Sequence, residues 1–237
     1  MTPVPAKAGE PRILAVTGLT KEARIAAGPG ILAIAGGGNS PVLRARLEAT
    51  EPRGLKAVVS FGIAGALEPG LRVGDVLLAT EIRSSAGRWT ADPAFRARWA
   101  EGLGVADIPL VACPLVGVDE PLLTPGAKQA LFAASGADAV DMESHIAAEF
   151  AARHGLPFGA IRVISDRADH VLPPAAGTAM RPDGSVDVLG VMMSVARSPR
   201  QIPALVATAR DAAVAFRVLG RVRGLLSLGG GLLGLDL

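Results

Sequence analysis

The segment that decides the fold is Val58–Leu78, which reads VVSFGIAGALEPGLRVGDVLL. It contains two apolar runs separated by a turn-forming stretch of proline, glycine and charged residues. Neither run alternates apolar with polar residues, and such runs are typical of strands covered on both faces of a sheet. The glycines of the first run are open to two interpretations. They expose backbone N–H groups to a ligand, or they let the strand pack closely against a helix.

The sequence on both sides of this segment continues the pattern of short apolar runs alternating with helical periodicity. Strands are predicted at 12–18, 31–38, 55–62, 75–82, 108–118, 137–142 and 157–166. Helices are predicted at 21–28, 40–49, 93–103, 125–135 and 144–155. This order predicts an α/β fold with a sheet covered on both faces, in which ligands bind at the carboxyl ends of strands.

The length of 237 residues allows a full hydrophobic core, and we expect one domain over residues 11–224. A disordered leader is expected at 1–10 and an apolar glycine- and leucine-rich tail at 225–237. No apolar run is long enough to span a membrane, the N-terminus lacks a signal-peptide pattern, and Cys113 is the only cysteine. These features predict a cytoplasmic protein, and the net charge of +2 without tyrosine argues against nucleic-acid binding.

Glu143 is the first candidate functional residue, in the segment VDMESHIAAEFAARHG that ends at Gly155. If a helix starts near Met142, Glu143 lies at its N-terminus and on its apolar side. One interpretation is a carboxylate that complements the helix dipole. The other is an ionised carboxylate that faces a cleft, grips two sugar hydroxyls and stabilises a cationic sugar.

Asp166 is the second candidate, because it follows the buried strand predicted over Ala160–Ile164. A carboxylate at this place either caps the next segment or belongs to a site. Removed from water, it becomes easier to protonate and can act as an acid near neutral pH. Arg162, Arg167 and Asp169 could equally form a structural ion-pair network around it.

Other motifs are weaker or absent. Gly36, Gly37 and Gly38 follow a predicted strand and offer a cradle of N–H groups, but the dinucleotide spacing G-x-G-x-x-G is incomplete. The histidines lack the spacing of metal ligands, and Cys113 lies in an apolar run where it is expected to pack. We therefore expect no metal and no cofactor, with phosphate left open as a co-substrate.

Three ordered segments carry a family resemblance: Val58–Leu78, AVDMES at 139–144 and IRVISDRAD at 161–169. Together they resemble the nucleoside phosphorylase/nucleosidase superfamily, and within it the methylthioadenosine/S-adenosylhomocysteine nucleosidase group. The resemblance covers most of Arg12–Asp169. It implies a three-layer α/β/α fold with a central mixed, partly barrel-like sheet, and a homo-oligomer for which a dimer is favoured.

The resemblance also implies roles for individual residues. Met142 would lie beneath the ribose, Glu143 would hold its hydroxyls, and Ser165 and Asp166 would face the purine, with Asp166 donating a proton to N7. Glu22 matches the glutamate that activates water in nucleosidases. The remaining residues predicted to bind substrate are Arg24, Gly36, Gly37, Gly38, Ile63, Ala64, Gly65 and Leu122.

The choice between water and phosphate rests on residues near Glu22. Arg24 is close to the place where phosphorylases often hold phosphate with arginine. Relatives commonly have Ser or Thr where this chain has Ile63, and that hydroxyl helps to hold ribose, water or phosphate. The apolar Ile63 and the negative charge of Glu22 therefore favour hydrolysis.

The C-terminal region carries six arginines and one acid between Arg197 and Gly224, with an apolar stripe on the same helix. The stripe consists of Ile202, Leu205, Val206, Ala209, Ala213 and Phe216. Such a helix either lies on an anionic membrane surface, here the inner face, or packs on its own domain or in a dimer interface.

Two segments in this region, LPPAA at 172–176 with RPDGSVDV at 181–188, and PRQIPALVATARDA at 199–212, resemble the hopanoid-associated phosphorylase branch. That branch implies adenosylhopane, a nucleoside with a large apolar 5′ substituent, as a possibly lipid-linked substrate. Adenine and ribosylhopane, or its phosphorylated form, would be the products. The alternatives are a soluble methylthioadenosine-type nucleosidase, a non-catalytic nucleoside-binding protein and a membrane-peripheral scaffold.

Overall fold

The computed structural model describes residues 12–104, 108–173, 198 and 201–228. Its strands are β1 (Arg12–Thr17), β2 (Ile31–Ala35), β3 (Leu55–Ala66), β4 (Val76–Ser84), β5 (Gly87–Thr90), β6 (Leu110–Gly117), β7 (Ala139–Asp141) and β8 (Phe158–Asp166). Its helices are α1 (Thr20–Ala26), α2 (Ser40–Glu48), α3 (Pro93–Gly104), α4 (Pro125–Ser135), α5 (Ser144–Arg153) and α6 (Ile202–Leu228). The predicted leader at 1–10 and residues 229–237 of the predicted tail lie outside the described residues.

All eight described strands form one mixed sheet in the order β2-β1-β3-β7-β6-β4-β5. The eighth strand, β8, pairs with both β3 and β4, parallel to the first and antiparallel to the second. Five strands, β3, β7, β6, β4 and β8, therefore close into a ring, while β1 and β2 extend the sheet beyond it. This topology confirms the predicted central mixed, partly barrel-like sheet.

Helices cover both faces of the sheet, because alternate residues of each strand point to opposite faces. On β1, Leu14 and Val16 belong to the core that includes α2 and α5. Ile13 and Ala15 belong to a second core that includes α1, α3 and α6. The predicted α/β/α arrangement of three layers is confirmed.

The helix ends follow from local side chains. Thr124 caps α4 by accepting a hydrogen bond from the Ala127 N–H at 3.2 Å, and Gly136 ends the helix at φ 60°. Asn39 caps α2 by accepting a hydrogen bond from the Val42 N–H at 3.0 Å. These caps place the loops that precede both helices.

The long helix α6 packs on its own domain through its C-terminal half. Ala215, Leu219, Val222 and Leu226 form its buried face. The helix also continues to Leu228, past the position where the tail was expected to begin.

The predicted apolar stripe of α6 differs from this buried face. Ile202 is 45% exposed and Val206 is 44% exposed. Phe216 is half-buried, with the Lys21 ammonium 4.1 Å from the centre of its ring. Over the described residues, none of the helices has the length and apolar character needed to cross a bilayer.

Candidate active site

A cavity of about 190 Å³ lies at the carboxyl ends of several strands, where β1, β7 and β8 end and β3 approaches its last residue. Most of the predicted site residues line it. They are Glu22, Ile63, Ala64, Gly65, Leu122, Met142, Glu143, Ser165 and Asp166. The position agrees with the rule that ligands bind beyond the carboxyl ends of strands in open α/β sheets.

Glu22 is the third residue of α1 and is 2% exposed. Its Oε2 accepts hydrogen bonds from the backbone N–H groups of Gly18 at 2.8 Å and Leu19 at 2.7 Å. Its Oε1 accepts from the Ile63 N–H in β3 at 2.8 Å. Glu22 therefore caps its own helix and at the same time holds a carboxyl group against the floor of the cavity.

Glu143 occupies the N-cap position of α5, which begins at Ser144, the first residue of the helix predicted over 144–155. The preceding Asp141 orders this turn, because its Oδ1 accepts from the N–H groups of Glu143 at 2.8 Å and Ser144 at 2.6 Å. A Cβ on Gly18 would lie 2.7 Å from Glu143 Oε1, so the Glu143 carboxyl group lies directly against the β1–α1 turn.

Arg162, fully buried on β8, connects the acidic residues beneath the cavity. Its Nε donates to Asp141 Oδ2 at 3.0 Å, and its Nη2 donates to the Ser60 hydroxyl at 2.7 Å. The same Nη2 lies 3.8 Å from Glu143 Oε2. Its Nη1 is buried and has no hydrogen-bond partner among the described residues.

Burial and mutual repulsion control the ionisation of this cluster. Burial raises the pKa of Glu143 to about 8, and the charges of Asp141 and Glu22 add to the rise while Arg162 opposes it. Burial also raises the pKa of Glu22, against the opposing effect of Arg162 and three backbone N–H groups. Burial alone would raise the pKa of Asp141, but its ion pair with Arg162 outweighs burial and the pKa is lowered.

One guanidinium therefore faces three carboxyl groups, of which Asp141 is the ionised partner. The charge of Glu22 is one of the effects that raise the pKa of Glu143. Burial, which raises the pKa of Glu143, opposes the effect of the helix N-terminus, which favours the ionised form. The cluster can hold a proton and release it when positive charge develops nearby.

Asp166 ends β8 on the opposite side of the cavity and is 7% exposed. Its Oδ1 accepts from the Ser165 hydroxyl at 2.8 Å, and its Oδ2 accepts from Lys128 Nζ of α4 at 2.5 Å. Arg167 and Asp169, which the sequence placed in a possible network with Arg162, instead pair with each other at the surface at 2.8 Å. The carboxyl group of Asp166 thus faces the cavity between two donors.

The remaining wall of the cavity is apolar. Ile63 and Leu122 line it as predicted, together with Val118, Pro121 and Leu172. The loop that carries Leu122 is held to the segment after β8 by a hydrogen bond from the Leu172 N–H to the Leu123 carbonyl at 2.9 Å. An apolar substituent of a ligand would find favourable contacts along this wall.

Arg24 and the glycines Gly36, Gly37 and Gly38 are not brought to the cavity. Arg24 is exposed on the outer side of α1. The N–H groups of Gly36 and Gly37 donate to the carbonyls of Thr17 at 2.8 Å and Gly18 at 2.7 Å. They are consequently engaged in the backbone, and the predicted cradle for an anion is not formed by these two groups.

Lys128 and Asp141 are charged site residues that sequence reasoning missed, and the role of Arg162 was underestimated. A signal for Lys128 was present, because it shares a helical face with Leu131 and Phe132, which pack against the apolar core. A lysine on the apolar face of a helix is unusual unless it has a buried partner. The partner, Asp166, is too far away in sequence to be read from helical periodicity.

Two further predictions concern metal ions and Cys113. Within the described part of the chain, no group of three or more His, Cys, Asp or Glu side chains could hold a metal ion. Cys113 is 1% exposed inside β6, as expected for a packing residue. Burial, with the nearby charge of Asp138, raises the pKa of its thiol to about 12.

Fold and site together define an α/β enzyme with opposed acidic groups in a cleft. The chain belongs to the phosphorylase superfamily, whose family model matches residues 6–187. This confirms the predicted superfamily and the enzyme class, that of nucleoside phosphorylases and nucleosidases, which cleave N-glycosidic bonds. None of the curated protein sequences compared with the chain matches it.

Solved structures of the same fold cover nearly the whole chain. A Helicobacter pylori 5′-methylthioadenosine/S-adenosylhomocysteine nucleosidase with butyl-thio-DADMe-Immucillin-A has a TM-score of 0.65 at 16% identity, covering 90% of this chain and 98% of that chain. The futalosine hydrolase of Helicobacter pylori has a TM-score of 0.64 at 16% identity, with 90% and 97% covered. The S-adenosylhomocysteine nucleosidase of Streptococcus pyogenes has a TM-score of 0.60 at 16% identity, with 87% and 98% covered. At this identity the likeness establishes the fold.

Proposed function

We propose that this chain hydrolyses the N-glycosidic bond of an adenine nucleoside. The observation that carries the proposal is that Asp166 and the pair of Glu22 and Glu143 line the same cavity. The bond needs an acid on the base side and negative charge with a water-activating group on the sugar side. Asp166 supplies the acid on the base side, and Glu22 with Glu143 supply the negative charge and the water-activating group on the sugar side.

In the proposed reaction Asp166 protonates N7, so that adenine leaves as a neutral molecule. The electron pair of the breaking bond goes to adenine, and the ribose acquires positive charge. The fraction of the chain in which Glu143 is already ionised reacts, and this carboxylate stabilises the charge while it holds the ribose hydroxyls above Met142. Water attacks C1′ and transfers a proton to Glu22.

Several features support water over phosphate as the acceptor. A phosphate anion near C1′ would be repelled by Glu22 and Glu143 in the ionised forms that the reaction uses. Arg24, the residue considered for phosphate binding, is exposed and does not line the cavity. Ile63 places an apolar side chain where relatives commonly have the hydroxyl of Ser or Thr, which helps to hold phosphate.

The proposed substrate is adenosylhopane. The apolar wall of Ile63, Val118, Pro121, Leu122 and Leu172 supports a nucleoside with a large apolar 5′ substituent. A second candidate, a small nucleoside, is favoured by the names of the similar structures, which include methylthioadenosine/S-adenosylhomocysteine nucleosidases and a futalosine hydrolase.

We propose in addition that the chain contacts a membrane and that it forms a homodimer. The exposed Ile202 and Val206 lie on α6 near the exposed Arg210, a combination suited to an anionic surface. Sedimentation with anionic vesicles measures the membrane contact. Light scattering measures the oligomer.

Product analysis tests the function. The chain is incubated with adenosylhopane, methylthioadenosine, S-adenosylhomocysteine or futalosine, with and without phosphate, and free base and sugar product are identified by mass spectrometry. We expect adenine and ribosylhopane, independent of phosphate. A phosphorylated sugar product would show that the reaction is phosphorolysis and not hydrolysis. Binding without release of a base would indicate a nucleoside-binding protein.

Two variants test the assignment of the acids. Asp166→Asn removes the acid and should lower kcat/KM by roughly 100-fold or more, since general acid catalysis contributes about that much. Glu143→Gln should raise KM and lower kcat together, because the same side chain binds ribose and stabilises its charge. If both variants turned over the best substrate at nearly the wild-type rate, the assignment would be wrong.

A further inference from the structure

Lys128 is a buried charged residue for which the reaction above has no use. It is 1% exposed and is the buried residue of α4. Removing an ammonium group from water is costly unless the group is paired and hydrogen-bonded. Here Nζ donates to Asp166 Oδ2 at 2.5 Å and to the Arg167 carbonyl at 2.6 Å.

The surroundings of Asp166 show why this contact matters for chemistry. Oδ1 accepts from the Ser165 hydroxyl and Oδ2 accepts from Lys128. The Lys128 ammonium can only donate, so Oδ2 accepts from it as a carboxylate oxygen does, while the Ser165 hydroxyl also lies 3.2 Å from the Ala64 carbonyl. Before such a group can protonate N7, it must receive a proton from a neighbour. The ammonium of Lys128 is a far stronger acid than the Ser165 hydroxyl.

We propose that Lys128 is a positioning residue that holds Asp166 towards the base and supplies the proton that Asp166 passes to N7. This inference rests on the proposed function. One proton moves from Nζ to Asp166 and from Asp166 to N7 as the electron pair of the breaking bond moves to adenine. Lys128 becomes a neutral amine, Asp166 is again a carboxylate, and the proton released by the attacking water balances the one consumed.

A purely structural role predicts something different. The ion pair also ties α4 to the end of β8, and the hydrogen bond between Leu172 and Leu123 ties the same two regions together. Loss of a structural tie would disturb every reaction of the site equally. Loss of a proton supply would affect only leaving groups that need a proton.

The test compares two substrates in the variant Lys128→Met. The first is the adenine nucleoside that the wild-type chain cleaves fastest among those named above, and the second is its N7-methylated form, whose base leaves neutral without a proton. With the first substrate kcat should fall by roughly 100-fold. With the second it should change by less than about threefold, which also shows that the variant is folded.

A second variant, Lys128→Arg, separates charge from proton supply. Arginine keeps the positive charge and the donors, but it does not release a proton in proteins. We expect this variant to be slow with the ordinary nucleoside and active with the methylated one. Exposed Lys56 on β3 provides the matched control, and Lys56→Met should leave both rates unchanged.

The outcomes decide the inference. Equal loss on both substrates, or no loss on either in Lys128→Met, would overturn it, and so would a wild-type rate in Lys128→Arg. If Lys128→Met does not fold, the same comparison is made with Lys128→Gln. Unchanged turnover in Asp166→Asn would instead refute the proposed function, so the two failures are distinguishable.

Discussion

At the scale of single residues, the site depends on how closely carboxyl groups approach the backbone. Gly62 on β3 shows this, because a Cβ there would lie 2.6 Å from Glu22 Oε1 and 3.0 Å from Arg162 Nη1. A side chain at this position would therefore force the Glu22 carboxyl group to move and would press on the Arg162 guanidinium. The missing side chain at Gly62 is therefore a requirement of the site and not of the fold alone.

Gly62→Ala should displace the Glu22 carboxyl group and lower kcat/KM by roughly tenfold or more, since small misplacements in a site are costly. Glu22 is held by N–H groups of the β1–α1 turn and of Ile63, so its displacement also breaks these bonds. Steady-state kinetics measure the effect. Gly126→Ala is the control, because a Cβ at Gly126 meets nothing within 4 Å. Equal activity of the two variants would contradict the argument.

At the scale of elements, the sequence predicted most strands and helices within a few residues. Apolar runs and caps are local signals, and they placed β1, β3, β8 and α5 at the cavity. Closure of the sheet was implied by the family resemblance and not by the local pattern. β8 pairs with β4, which lies about 80 residues earlier in the sequence. Local propensities do not predict a contact between strands so far apart in the chain.

The orientation of α6 was predicted less well. The helix contains enough small and apolar residues that more than one of its faces could be buried. Packing against β8, α3 and α1 buries the face that carries Leu219. Lys128 was missed for a related reason, because its partner lies on another element. Long-range contacts therefore account for both errors.

The buried face of α6 predicts how the helix contributes to stability. Leu219→Ala should lower the free energy of unfolding by about 2–5 kcal/mol, the range for a buried leucine replaced by alanine. Val206→Ala, at a position 44% exposed, should change it by less than about 1 kcal/mol. Urea unfolding followed by circular dichroism measures both. A larger effect at Val206 would mean that the helix uses its other face.

At the scale of the whole molecule, the fold gathers charges that the unfolded chain keeps apart. Glu22 comes from α1, Asp141 from β7, Glu143 from the turn before α5 and Arg162 from β8. The three acids and one base are buried together. One positive charge neutralises three carboxyl groups only in part, and this lowers the stability of the folded chain. This makes stability depend on pH in an unusual direction.

The raised pKa of Glu143 fixes the sign of that dependence. Its value of about 8 in the folded chain exceeds the ordinary 4.5, so between these pH values the folded state keeps a proton that the unfolded state has lost. The free energy of unfolding therefore falls as pH rises through this window. Glu143→Gln, which is always neutral, should match the wild-type melting temperature near pH 5 and exceed it by several degrees near pH 9.

Thermal unfolding at the two pH values checks this expectation, with Glu101→Gln on the exposed side of α3 as control. The control should shift the melting temperature equally at both pH values. A wild-type chain that is more stable than Glu143→Gln at high pH would show that the cluster compensates the buried charge fully. In that case the loss of activity in Glu143→Gln would have no counterpart in a gain of stability at high pH.

The buried thiol of Cys113 has a practical consequence for spectroscopy. Maleimides and spin labels react with accessible thiolates, and this side chain offers neither accessibility nor ready ionisation. A cysteine introduced at Val206 would then be the one reactive attachment point on the native background. Fluorophores placed there would test whether α6 approaches a lipid bilayer, without prior removal of the natural cysteine.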